Sequence, residues 1–194
     1  MDAFYSSSSS FSSSSFTSSS GSMVTAVASL LRAEDGKVLE TYTRHGRSTF
    51  PYVAGIFFVH KGPSVVAAVE GLRQKPGLVC FDAHGKSHPR FAGLASICGK
   101  MLEMPSIGVA ESRLVGEVVP YKEDLENIVY QDKEVGFLTR KGGSSNNMKR
   151  YWSPGYAVSM RELEEVIFLY SKVCIKSIAE ADQIGRSDPS IPKT

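Results

Sequence analysis

Apolar positions fall into two periods along this chain, and the switches between them mark its elements. Residues 23–31 are almost continuously apolar and partly β-branched, the pattern of a strand. Glu34-Asp35-Gly36-Lys37 carries an Asp-Gly turn signal, and residues 38–43 alternate as a returning strand would. Residues 63–72 begin with Pro63 and space their apolar positions as a helix does. Two short apolar runs, 77–82 and 105–110, read as buried strands, and 91–102 between them as a helix. Residues 134–139 and 149–152 are expected to be strands around a turn at 142–147. Residues 159–175 form the clearest helix, capped by Ser159 with Glu162, Glu164 and Glu165 near its positive end. A meander of strands followed by alternating helix and strand predicts an α/β domain with a mixed sheet flanked by helices.

The N-terminal segment breaks this patterning. Twelve of the fifteen positions 6–20 are serine, interrupted by Phe11 and Phe16. Such a tract buries too little apolar surface to offset its ordering entropy, so residues 1–22 are expected to be a disordered tail or an inserted loop. The domain then runs from 23 to 186, with a polar tail at 187–194. The start is serine-rich and acid-poor, but no Arg or Lys precedes Arg32, which argues against a targeting peptide. No apolar run is long enough to span a membrane.

Net charge is only +2, so any affinity for nucleic acid must come from local clusters rather than a global basic field. The three cysteines, Cys80, Cys98 and Cys174, have neither disulfide nor zinc spacing, and Cys80 and Cys98, in apolar segments, read as buried, inert thiols. A reducing, cytoplasmic setting and a monomer are the expectation.

The candidate chemistry lies in Phe81-Asp82-Ala83-His84-Gly85-Lys86-Ser87-His88-Pro89-Arg90. Asp82 closes a buried strand, and open α/β sheets gather functional groups at strand carboxyl ends. A carboxylate there offers a hard oxygen to a divalent cation, and the basic residues after it can meet phosphate oxygens. On composition alone, Asp82 could equally cap a turn followed by solvated cations.

These residues resemble the endonuclease V family. VCFDAHGKSHPRFAGLASICG is similar to its Asp-Gly-x-Gly-x-x-His-Pro-Arg loop and Gly-Leu-Ala-Ser helix. FPYVAGIFFVHKGP, MPSIGVAESRLVGE, LTRKGG and RYWSPGYAVS resemble further family segments in the same order. The resemblance implies a ribonuclease H-like fold and magnesium-dependent phosphodiester hydrolysis (manganese also serving) near inosine in DNA or RNA. It implies Asp82 as a metal ligand and Tyr52 as an aromatic wedge that replaces lost stacking while a base swings out. Gly85, His88, Arg90, Ser112 and Arg113 match nucleic-acid-binding positions, the glycine allowing backbone to approach the flipped base.

The departures bear on activity. The family's catalytic Glu falls on Lys61, its catalytic Lys on Glu111, and its late metal-supporting His on Tyr156. The first metal-binding Asp has no match just before Met23; Asp2, followed by Tyr5 at the motif's spacing, is the candidate. Lys61 and Glu111 reverse the family's charges; if they face each other across the site, their charged ends are expected within salt-bridge reach, directly or through one water. Three readings stand: an endonuclease V-like hydrolase, a catalytically impaired relative that binds nucleic acid, and a structural or partner-binding domain with a serine-rich linker.

Overall fold

The sheet is built outward from a parallel centre. The computed structural model describes residues 5–10, 22–48, 50, 57–140 and 149–187. Nine strands form one sheet: β1 (Tyr5–Ser10), β2 (Ser22–Arg32), β3 (Val38–Ser48), β4 (Leu78–Phe81), β5 (Ser106–Ala110), β6 (Glu117–Lys122), β7 (Leu125–Tyr130), β8 (Lys133–Arg140) and β9 (Lys149–Pro154), in the order β3-β2-β1-β4-β5-β9-β8-β7-β6. β1, β4 and β5 run parallel, and every outer pair is antiparallel. Three helices complete the domain: α1 (Phe57–Glu70), α2 (Leu94–Leu102) and α3 (Met160–Ser187).

The continuous burial of β4 has a simple cause. Val79 and Phe81 pack with α1 and α2, while Leu78 and Cys80 pack with α3. A strand covered on both faces has no polar side to alternate with. The thiols of Cys80 and Cys174 meet at 3.0 Å on the α3 side, and all three cysteines are free and buried, as expected of Cys80 and Cys98.

Several boundaries differ from the sequence reading. α1 starts at Phe57, so Pro63 lies inside the helix rather than at its start. α3 begins as expected, with a reciprocal cap in which the Ser159 amide donates to Glu162 Oε2 at 2.7 Å and the Glu162 amide to Ser159 Oγ at 3.2 Å. It then runs through Ser187, past the expected end. The hairpin of β6 and β7 was absent from the expectation: Pro120 sits inside β6, and each strand has an irregular register step that blurs period-2 alternation. The expected turn at 142–147 lies outside the described residues, but β8 and β9 flank it as an antiparallel pair.

The largest difference is at the serine tract. Residues expected to be disordered supply β1, between β2 and β4 in the middle of the sheet. The entropy argument counted apolar side chains, whereas a central strand is also held by main-chain hydrogen bonds to two neighbours. Residues 11–21, with Phe11 and Phe16, lie outside the described residues.

Candidate nucleic-acid interface and acidic cluster

The carboxyl ends of β4 and β5 share one edge of the sheet. Asp82 follows β4 and Glu111 follows β5. β9 starts at this edge because it runs antiparallel to β5, Ala110 pairing with Tyr151, and this brings Arg150 beside Glu111. α3 follows β9 and runs back along the sheet, which returns Asp182 to Asp82. β1 ends at Ser10, one residue past its Ser9–Phe81 pairing, just as Asp82 lies one residue past Phe81. The parallel register therefore puts a serine, not an acid, alongside Asp82.

Charge and burial act together on Asp82. Burial first, then Glu111 and Asp182, raise its carboxyl to about 6 against the opposing charges of Arg150 and Lys61. Lys61, on α1, is only 5% exposed. Burial lowers its ammonium to about 8, against the attraction of Asp82. Glu111 Oε1 meets Arg150 Nη2 at 3.2 Å, and the charge of Asp82 attracts the Lys61 ammonium. Asp182, which sequence reasoning missed, pairs with Arg186 at 2.6 Å.

The loop after β4 is fixed by main-chain bonds. The Gly85 amide donates to Ser153 Oγ at 2.8 Å, the Lys86 amide to the Pro154 carbonyl at 2.8 Å, and the Gly93 amide to the Gly85 carbonyl at 2.8 Å. A Cβ on Gly85 would lie 2.2 Å from the Pro154 oxygen, and one on Gly108 2.3 Å from the Ala83 oxygen. Within the fold, the close approach that Gly85 permits is to β9. His88 is buried and its Nδ1 accepts from the Arg90 amide at 3.2 Å; burial, then Arg90, lowers its pKa. His84 is lowered to about 4 by burial and by His88, against a hydrogen bond with the Ser112 backbone. Its Nδ1 is buried with no hydrogen-bond partner. Both imidazoles are neutral at pH 7. Arg90, Ser112 and Arg113 are exposed around this loop.

Other expected residues stand apart. Tyr52 and Asp2 lie outside the described residues. The described part of β1 enters the sheet at the end remote from Asp82, since Ser6 pairs with Leu78. Tyr156 is not beside Asp82: its amide donates to Ser106 Oγ at 2.8 Å, at the opening of β5, and Lys100 lies over its ring at 5.1 Å. A groove of ≈ 740 Å³ between α3 and the outer sheet, lined by Lys122, Leu125, Ile167 and Phe168, touches the cluster only at Arg150.

A mixed α/β sheet flanked by helices, with acids gathered at its carboxyl edge, is a fold of the ribonuclease H-like class. A family model described as Endonuclease V matches residues 11–176, and the chain belongs to that family. An endonuclease V of Nostoc punctiforme is 34% identical over 143 residues, 72% of this chain and 64% of that protein, so the match spans less than two thirds of the relative's length. The crystal structure of endonuclease V from Streptomyces avermitilis superposes with a TM-score of 0.79 at 26% identity, covering 94% of this chain and 79% of that one. Endonuclease V of Ciona intestinalis, in complex with a 24mer DNA containing an inosine followed by a ribo-adenosine, shares the fold at 15% identity, TM-score 0.76, covering 95% of this chain and 85% of that one.

The family generally uses a divalent metal. The described residues alone do not fit one as they stand. Among the described residues, no group of three or more His, Cys, Asp or Glu is arranged to hold an ion. Ser10 holds the register position beside Asp82, and a buried ammonium acts on its carboxylate.

Proposed function

We propose that this chain binds inosine-containing DNA or RNA at the carboxyl edge of β4 and β5, and that its phosphodiester hydrolysis is impaired. The observation that carries this reading is the loop at 83–93, locked onto β9 through Ser153 and Pro154 with Arg90 exposed on it. A loop fixed in this way holds its hydrogen-bonding groups in place before a strand arrives, which lowers the ordering cost of binding. Arg90 and Arg113 supply phosphate contacts, and neutral His84 and His88 supply hydrogen-bonding groups beside the strand. Tyr52 is the aromatic residue that takes the place of the displaced base. The complex of the Ciona relative with inosine-containing DNA supports the substrate class. Three buried thiols suit a reducing cytoplasm, where the chain acts as a monomer.

Fluorescence anisotropy with matched single strands carrying inosine or adenosine, as DNA and as RNA, tests this directly. Salt-sensitive binding that favours inosine is expected, with little incision in magnesium. Equal or absent binding of the two strands would refute the reading.

Asp182 favours a second reading, because it adds an acid next to Asp82. On that reading the chain is a magnesium- or manganese-dependent nuclease in which Asp82 and Asp182 hold the ion. Efficient magnesium-dependent cutting by the pure protein, lost in both D82N and D182N, would select it.

A further inference from the structure

The acids at the sheet edge come with their own cations. Glu111 is bonded to Arg150 at 3.2 Å, and Asp182 to Arg186 at 2.6 Å. Asp82 lies in the field of Lys61, whose burial at 5% exposure fixes its charge within the protein rather than in solvent. Among the described residues, two of the three carboxylates are thus in ion pairs, with cations of β9 and α3, and the third is attracted to the buried ammonium on α1. A hard divalent cation is held by carboxylates with charge to spare, and usually by one or two of them together with substrate phosphate. Here that charge is already met, and a metal beside Asp82 would stand against a buried ammonium in a region where charges are weakly screened.

We propose that Lys61 is a built-in counter-charge that takes the place of a divalent ion, so that this edge engages a phosphodiester strand without metal. The inference rests on the nucleic-acid-binding reading for its ligand, but its metal arm is independent of it. Lys61 neutralises Asp82, which would otherwise repel a phosphate. Arg150 does the same for Glu111 on the β9 side. The strand then meets a locally neutral floor flanked by exposed Arg90 and Arg113.

The test uses the full chain and manganese alone, read by electron paramagnetic resonance of free Mn²⁺. The parent protein is expected to bind no more Mn²⁺ than D82N does. K61E, which removes the cation and adds an acid, is expected to gain one Mn²⁺ with affinity raised at least about tenfold. K61M keeps the length of the stem without its charge, and is expected to gain a weaker site if K61E does not fold. Mn²⁺ binding by the parent that D82N abolishes would overturn the proposal, as would failure of every folded Lys61 variant to gain metal. In a second arm, anisotropy with an inosine-containing oligodeoxynucleotide compares magnesium with EDTA at matched ionic strength. Affinities within about twofold support metal-free engagement, and tightening beyond about tenfold by magnesium overturns it. Absence of nucleic-acid binding in both buffers refutes the function proposed above, while the manganese arm still decides the role of Lys61.

Discussion

The loop that follows β4 and the charges around Asp82 occupy the same edge of the sheet, yet different parts of the chain determine them. The loop depends on its backbone: amides bonded to Ser153, Pro154 and Gly85, with glycines where a side chain would collide. The charge cluster depends on side chains brought from α1, β5, β9 and α3, and exchanging one of them leaves the main chain undisturbed. A site can therefore keep the shape with which it recognises a strand while its electrostatics are rewritten. Lys61 and Glu111 belong to the charges, and the 83–93 loop to the shape.

The sharpest way to break this contrast is to disturb the loop's backbone fit. G85A drives a methyl toward the Pro154 carbonyl, 2.2 Å away, and pulls two anchoring hydrogen bonds out of line. A loss of roughly 3 kcal/mol is expected by urea unfolding. A loss under about 0.5 kcal/mol would mean that the loop is held by something else.

Next in size is the pH response of Asp82. Its carboxyl titrates near 6 in the fold against 3.8 when unperturbed. Between those values the native state keeps a proton that the unfolded chain has released, so ionising Asp82 lowers stability as pH rises. His84 acts with the opposite sign: its fold value of about 4 lies below 6.5, so stability rises with pH across that interval. The two contributions largely cancel in the parent. D82N removes only the falling one, so its stability relative to the parent should grow to about 2–3 kcal/mol by pH 7, being near zero at pH 4. A pH-independent difference in urea midpoints would place the Asp82 carboxylate in bulk solvent.

A smaller effect separates recognition from attraction. R90A is expected to weaken strand binding by about 1 kcal/mol and to reduce the salt slope by about one, with preference for inosine intact. Loss of that preference in anisotropy would assign Arg90 to the base rather than to phosphate. The smallest effect is E111Q. Its ion pair is exposed on the Glu111 side, so stability should change by less than about 0.5 kcal/mol. The Asp82 pKa should nevertheless fall, because Glu111 is one of the charges raising it. Carboxyl-carbon NMR titration reads that direction.

The sequence disclosed most where burial leaves an unambiguous pattern. β4 and β5 were legible because cover on both faces makes them unbroken apolar runs, and α3 because Ser159 and Glu162 cap it reciprocally. β6 and β7 were not, because a proline and irregular register steps mask the alternation. In the site, Asp82 was legible from its place at a strand end. Asp182 was not: in a helix, followed four residues later by Arg186, it looks like an ordinary solvent-facing ion pair, and only the packing of α3 gives it another neighbour. Gly85 was legible as special, but its fit against Pro154 was not, since a sequence does not say which backbone a glycine lets close.

β1 has one further consequence. Its residues from Ser6 to Ser10 are chemically identical. Sliding such a strand along β4 exchanges one hydroxymethyl group for another, so side-chain identity exerts no vernier on its alignment, unlike a strand whose faces differ. Alignment falls instead to whatever flanks the repeat. Ala28 and Leu30 of β2 share an apolar cluster with Val79 and Phe81 of β4 and with α1, which clasps the two sides of the sheet across the repeat. Within the repeat, the main chain and this flanking cluster, rather than side-chain identity, hold Ser9 opposite Phe81.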